Sequence, residues 1–197
     1  MKIYDISQEV LGCVVFPGDP APQREVLATV ASGGVCNLTA FSMCSHNGTH
    51  VDAPYHFLDD GMTVDQLPLS HTVGYAYVAK QNGVLGADGA RAILTRAKES
   101  CEESAKRILL KDRAVVSLEA ARVFAEEGVV LVGNESQTVG PEDAPMAVPH
   151  VLLGAGAALL EGIRLADVPE GVYLLSAAPL SFAGGDGAPC RAILISL

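Results

Sequence analysis

Four side chains that commonly bind metals stand close together in the first third of the chain. His46, His50, Asp52 and His56 place three of the five histidines and one aspartate within eleven residues. Because all four positions have the same parity, an extended backbone points them to one face. A helix would separate them, and the glycine, proline and β-branched residues between them disfavour a helix. The spacing therefore predicts an irregular extended segment that directs four polar groups into one pocket.

These residue types indicate a divalent metal site. Imidazole nitrogen and carboxylate oxygen suit a borderline metal such as zinc or manganese. A lone histidine is more often a hydrogen-bonded core or surface residue, but four convergent groups favour the metal. A surface loop more often carries lysine, glutamate or serine, and a structural zinc site more often carries cysteines. Cys44 lies nearby, yet one cysteine makes neither a zinc finger nor a zinc ribbon.

A later part of the chain offers two further ligands, His150 and Glu161. On one straight helix they would lie about 16 Å apart and could not reach one metal. Gly154 and Gly156 allow a short helix that begins near Pro149 to end, with a strand carrying Glu161 after it. The residues alone leave alternatives open: a helix-start histidine that makes a local hydrogen bond, and an exposed glutamate.

The composition limits the class of protein. A chain of 197 residues, 49% of them hydrophobic, is most simply one domain, residues 1–197. The 23 acidic and 13 basic residues, without a basic cluster, argue against nucleic-acid binding. The chain has no run of 18 apolar residues and no signal-like N-terminus, so we expect a cytoplasmic protein without a membrane span. The cysteines are odd in number and lack close pairing, which indicates free thiols.

Predicted strands and helices alternate only in the middle of the chain. One helix is predicted from residue 89 to about 103 with Asp88 as its cap, and another follows Ser117 and ends at Gly128. Both ends are rich in predicted strands, which favours an α/β fold with a mixed sheet over a doubly wound one. The predicted strands cover residues 24–30, 37–44, 73–80, 108–110, 129–132, 172–177 and 192–195.

Residues 46–56 also match the pattern H-x-G-T-H-x-D-x-P-x-H at all seven fixed positions. This pattern resembles the signature of the cyclase family of metal-dependent hydrolases, which includes bacterial kynurenine formamidases and isatin hydrolases. The resemblance runs nearly end to end, through residues 3–7, 16–20, 150–153 and 159–162. It implies a single α/β domain of the swivelling β/β/α type, with a mixed, flattened barrel-like sheet and flanking helices.

The resemblance also implies a site with two divalent metals. It implies attack on an amide carbonyl by a hydroxide held between the metals, with His56 left uncoordinated as the general acid/base. The sequence identifies no residue that would orient His56. Carried over by motif position, the five ligands are His46 and His50 on the first metal, His150 on the second, and Asp52 and Glu161 bridging the pair.

The chain departs from the family pattern in two places. Where the family often carries a stretch close to G-I-D-T-P-S-V, residues 133–139 read G-N-E-S-Q-T-V. Glu135 and Gln137 preserve polarity but alter shape, which leaves the substrate preference open. Phe16 stands where kynurenine formamidases typically have a tryptophan that stacks on the aryl substrate, and phenylalanine stacks with less area. The alternative for Phe16 is a core or loop residue.

We therefore predict a metal-dependent amide hydrolase, with N-formylkynurenine as the closest specific substrate. The alternatives are an isatin-type cyclic amide hydrolase, a non-catalytic metal-binding protein, and a cysteine hydrolase that uses Cys44 with His46. An unligated His56 argues against the binding protein, because binding alone needs no proton carrier. The expected cofactors are two divalent ions per chain, zinc before manganese. The resemblance and the mean hydropathy of +0.31 also lead us to expect a homodimer or larger assembly.

Overall fold

Strands outnumber helices in the computed structural model, which describes residues 1–141 and 143–196. The strands are short, and the longest covers eight residues. In chain order they are β1 (Lys2–Asp5), β2 (Gln23–Ala28), β3 (Leu38–Ser42), β4 (His50–Asp52), β5 (Val73–Lys80), β6 (Gly83–Leu85), β7 (Arg107–Lys111), β8 (Ala114–Val116), β9 (Leu131–Asn134), β10 (Ala158–Glu161), β11 (Gly171–Ser176), β12 (Gly187–Pro189) and β13 (Ile193–Ser196).

The α-helices fall between residues 69 and 154. None of the described helices is long and apolar enough to cross a membrane. The α-helices are α1 (Leu69–Thr72), α2 (Ala87–Ser100), α3 (Leu118–Glu126) and α4 (Ala147–Gly154), and 3₁₀ turns cover Val30–Ser32, Pro54–His56 and Glu102–Lys106.

Nine strands form one mixed sheet in the order β1-β13-β11-β5-β7-β9-β10-β4-β12. The four central strands, β5, β7, β9 and β10, run parallel, and the pairs towards both edges are antiparallel. The sheet curls into a half-barrel. The predicted α/β fold with a mixed, barrel-like sheet is therefore confirmed. β2 with β3, and β6 with β8, form separate two-stranded sheets.

The main sheet buries hydrophobic side chains on both faces. Along β7, Ile108 and Leu110 join the core shared with helices α2, α3 and α4, whereas Leu109 joins the core on the opposite face. The same two-residue period places Leu159 of β10 in the helix-side core and Leu160 in the other. The helix-side face of β10 and its neighbour β4 also carries the polar side chains described below.

Several predicted boundaries are wrong by a few residues. Helix α2 has Gly86 rather than Asp88 at its N-cap, and Asp88 lies within its first turn. This helix ends at Ser100, and a 3₁₀ turn takes up the residues predicted to continue it. The Ser117 cap of α3 is confirmed, since its hydroxyl accepts a hydrogen bond from the Ala120 amide. The strand predicted at residues 129–132 lies at Leu131–Asn134 instead.

Candidate metal centre and active site

Two paired strands hold the centre of the site. β4 and β10 are antiparallel neighbours in which His50 lies opposite Glu161, and Asp52 opposite Leu159. All four residues share one face of the sheet, the face of the helix-side core. The His50 Nε2 atom lies 3.2 Å from Asp52 Oδ1 and 3.8 Å from Glu161 Oε2. The register thus brings three predicted ligands together, each with at most 5% of its side chain exposed.

His46 reaches the same place from the turn that precedes β4. Its Nδ1 atom lies 2.8 Å from Asp52 Oδ1, and its ring meets the His50 ring edge-on at 5.1 Å between centroids. Gly187 on β12 leaves the space for His46, because a Cβ there would lie 2.7 Å from His46 Cε1. The His50 Nδ1 lies 3.1 Å from the Gly48 carbonyl oxygen, an arrangement that leaves His50 Nε2 facing the carboxylates.

The electrostatics of this cluster fit a divalent cation. Burial raises the pKa of Glu161 well above its ordinary value, and the neighbouring Asp52 charge raises it further. Burial also opposes the ionisation of Asp52, but the charge of His50 and the hydrogen bond to His46 hold its pKa well below the usual range. Two carboxylates lie buried together, and no Lys or Arg lines their cavity in the part of the chain that the structure describes. A metal bound by these nitrogen and oxygen donors would relieve the repulsion.

Asp186 links His46 to His56. Its Oδ2 atom lies 2.9 Å from His46 Nε2 and 3.4 Å from His56 Nδ1, while Oδ1 accepts a 3.1 Å hydrogen bond from the Ser45 hydroxyl. The two imidazole rings stack with their centroids 3.9 Å apart. Asp186 therefore stands where a group that orients His56 is needed, and sequence reasoning did not identify it.

The two stacked histidines have opposite pKa shifts. Burial lowers the pKa of His46, but hydrogen bonds and charges from Asp52 and Asp186 outweigh burial and raise it to about 9. Burial lowers the pKa of His56, and the nearby Asp52 and Asp186 charges do not reverse this. In the metal-free chain at neutral pH, His46 is therefore protonated and His56 is neutral.

His150 lies apart from the other predicted ligands. It sits on α4 and is exposed. Among the described residues, two groups of donor atoms lie within 4.8 Å of one another: His46 with His50 and Asp52, and His46 with His56 and Asp186. Neither group includes His150 or Glu161. Its Nδ1 lies 2.8 Å from the Met146 carbonyl oxygen, the local hydrogen bond expected for a helix-start histidine. No described residue forms a hydrogen bond with its Nε2 atom. The ring lies 5.5 Å from the Phe57 ring, which lines the cavity above the buried donors.

A cavity of about 310 Å³ opens over the donors. Every predicted site residue except His150 lines this cavity: Phe16, His46, His50, Asp52, His56 and Glu161. Phe16 lines the mouth and is 37% exposed. The volume suits a small molecule with an aromatic ring.

The geometry gives the cysteine alternative no support. The Cys44 thiol lies 3.9 Å from Asp19 Oδ2, and both ring nitrogens of His46 are engaged by Asp52 and Asp186. His46 is therefore not placed to act as a base for Cys44. The five cysteines are free thiols, as predicted. The fifth histidine, His71, lies in the single turn of α1.

Comparison with known proteins identifies the family. Residues 4–141 match the family profile described as "Putative cyclase". This chain belongs to that cyclase family. The resemblance carried by residues 46–56 is therefore confirmed.

Relatives of this cyclase-family chain match it over nearly its whole length. It is 35% identical to the kynurenine formamidase of Salinibacter ruber, over 98% of this chain and 97% of the relative. It is 32% identical to the kynurenine formamidase of Erythrobacter litoralis, over 100% of this chain and 94% of the relative.

Solved structures share the fold. One described as a potential metal-dependent hydrolase with cyclase activity has a TM-score of 0.80 and 27% identity, and the match covers 98% of this chain and 96% of that one. Isatin hydrolase A from Labrenzia aggregata has a TM-score of 0.79 and 21% identity, over 100% of this chain and 94% of that one. At that identity the likeness shows a common fold.

Proposed function

We propose that this chain is a metal-dependent hydrolase of amide C–N bonds that acts on aryl formamides of the N-formylkynurenine type. The observation that carries the proposal is His56, a neutral histidine that stacks on a buried cluster of metal-type donors and faces the cavity. A site that only stored metal would need no such proton carrier. The full-length similarity to kynurenine formamidases supports the substrate class.

The donor set supports two metals per chain. His46 and His50 would hold the first metal and His150 the second, while Asp52 and Glu161 would bridge them. The free Nε2 of His150 supports its role, because its Nδ1 bonds a backbone carbonyl as that of His50 does. When bound, the metals would polarise the scissile carbonyl and lower the pKa of a water molecule. We propose zinc as the first choice and manganese as the second.

His56 would carry the protons of the reaction. Its lowered pKa leaves it able to accept a proton from the attacking water at neutral pH. It would return that proton to the amine nitrogen as the C–N bond breaks, so that formate and an aryl amine leave. With Nδ1–H donated to Asp186, Nε2 is the nitrogen that exchanges the proton. Asp186 is then a positioning residue for His56.

Phe16 would bind the aryl group. It lines the mouth of the cavity and keeps part of its ring exposed, so a flat substrate ring can contact it. The scissile amide would then lie over the buried donors, within reach of His56.

Hydrolysis assays with metal removed and restored test the proposal. We expect protein stripped with a chelator to be inactive and protein reloaded with zinc or manganese to cleave N-formylkynurenine and formanilide. Activity on isatin alone would move the function to the cyclic amide alternative, and metal uptake without any turnover would favour a binding protein. Full activity in the metal-free chain would contradict the proposal. Loss of activity on alkylation by iodoacetamide, absent in Cys44→Ser, would instead favour a thiol enzyme.

Two further expectations accompany this function and stay predictions from the sequence: a cytoplasmic location and a homodimer or larger assembly. Light scattering at micromolar concentration should give at least twice the 20.4 kDa mass of one chain. A species with the mass of a single chain would contradict the dimer.

A further inference from the structure

A second cavity, of about 470 Å³, lies next to the first. Phe16, Gln137 and Thr138 line both, so the two cavities meet at these residues. One wall of the second cavity is apolar and comes from residues 14–17; the other is polar and comes from residues 135–138 and Arg164. A molecule whose ring rests on Phe16 can therefore extend from the donors of the first cavity into the second.

The polar wall lies within the stretch in which the chain departs from the family pattern. The carboxylate of Glu135 is already satisfied, because its two oxygens accept hydrogen bonds from the amides of Asp112 and Leu165. By contrast, the Oε1 atom of Gln137 is buried and accepts no hydrogen bond in the described part of the chain. A buried acceptor without a donor is costly, and an N–H or O–H group of a ligand at the junction of the cavities would satisfy it.

Arg164 is the only Lys or Arg that lines either cavity among the described residues. Its Nη1 donates to the carbonyl oxygens of Glu135 and Ile163 at 3.2 and 3.0 Å, which positions the guanidinium group. Its Nε and Nη2 atoms donate to no residue that the structure describes. A guanidinium group with two free donors matches the geometry of a carboxylate.

We propose that the second cavity is a substrate subsite that binds a carboxylate at the end of a short side chain on the aryl amide, with Arg164 as its cation and Gln137 at the junction. The proposal rests on the proposed function and narrows its substrate class. The chain carries a net charge of −10, so an anionic substrate is repelled except where a cation faces it. A compact neutral ring such as isatin needs no second cavity and gains nothing from Arg164.

The test compares Arg164→Gln with Arg122→Gln, a matched change of an exposed arginine on α3 that lines neither cavity. The first measurement is the ratio of kcat/KM for N-formylkynurenine to kcat/KM for formanilide, which lacks the carboxylate. We expect Arg164→Gln to lower this ratio about three- to tenfold, mainly through KM, because the ion pair is partly exposed. Arg122→Gln should leave the ratio at the wild-type value, and Arg164→Lys should restore part of it.

The second measurement is calorimetric binding of kynurenine and of its methyl ester, which removes only the carboxylate. Wild-type protein should prefer kynurenine, and Arg164→Gln should lose that preference. Equal affinities for the two compounds in wild-type protein, or an unchanged preference in a folded Arg164→Gln variant, would overturn the subsite. If no formamide is hydrolysed while the binding preference depends on Arg164, the proposed function fails and the carboxylate subsite stands.

Discussion

The buried floor of the site, formed by His50, Asp52 and Glu161, is built differently from its more exposed surroundings. At the floor, adjacent strands fix His50, Asp52 and Glu161 by register, and almost none of their surface is exposed. At the mouth, Phe16 sits on a loop with 37% of its surface exposed. His150, which does not line the cavity, projects from a helix with one local hydrogen bond. We propose that the preassembled floor binds the first metal, that His150 completes the second, and that Phe16 accepts the substrate.

Removing Asp52 should have the largest effect, because it stands at the centre of the floor. Its Oδ1 atom lies near both His46 and His50, so Asp52→Ala removes the oxygen common to both contacts. We expect this variant to lose both metals on dialysis and to show no measurable hydrolysis. The control is Asp167→Ala, an exposed aspartate away from the donors. A variant that kept both metals and its activity would show that the floor is not the metal centre.

The His56→Ala variant separates chemistry from metal binding at the floor. It should keep its fold and metals but lose about 10²–10⁴-fold in kcat, the range for proton transfer by a positioned side chain. His71→Ala, which changes a histidine on α1, should behave like the wild type. Elemental analysis decides the role: if His56→Ala loses metal in stoichiometric amount and His71→Ala does not, then His56 is a ligand.

Metal binding to the floor should release protons. Between pH 6.5 and about 9 the folded metal-free chain holds a proton on His46 that an unfolded chain has lost. A histidine nitrogen that binds a metal must be deprotonated, so metal binding would release this proton. Metal affinity should therefore rise about tenfold per pH unit in this range for each proton released. Because folding raises the pKa of His46 from 6.5 to about 9, protonated His46 stabilises the metal-free fold. This stabilisation is fully present below pH 6.5 and is lost as the pH rises through about 9.

Zinc titrations by calorimetry in buffers of different protonation enthalpy measure these protons directly. We expect at least one proton released per chain at pH 7.5. An observed heat that does not depend on the buffer would mean that His46 is neutral before the metal binds.

Phe16→Ala should have the smallest effect, because it changes the mouth and leaves the floor intact. The preference for aryl over alkyl formamides should fall by up to about tenfold, since an aromatic contact adds about 0.5–1.5 kcal/mol beyond area burial. Phe16→Trp should keep or raise the preference, and Phe41→Ala, on the exposed face of β3, should leave it unchanged. Metal content should be the same in all three. An unchanged preference in Phe16→Ala would remove Phe16 from the site.

The sequence predicted the floor better than its surroundings, because the floor depends on local spacing. His50 and Asp52 are two residues apart on one strand, so parity alone aligns them. Asp186 was not predicted, because it meets His56 only through the pairing of β12 with β4. These two strands are far apart in the chain. The strand β12 reads Gly-Ala-Pro, a composition typical of a loop, and tertiary pairing makes it a strand.

The fold shows the same difference between local and long-range signals. Long strands such as β5, with many β-formers, were predicted at their observed bounds, Val73–Lys80. The three-residue strands β6 and β8 were not predicted, because pairing with each other defines them. On α3, Leu118 and Ala125 are half-buried while Val123 and Phe124 are buried, since contact with α2 and α4 sets the rotation of the helix.

We propose that the preassembled floor and His150 together hold two metals. The most direct test is the number of metals per chain after saturation with zinc or manganese and removal of excess, measured by elemental analysis in wild-type protein and in His150→Ala. We expect two metals in the wild type and one in His150→Ala, with the floor still occupied. At most one metal in the wild type, or two in His150→Ala, would contradict it.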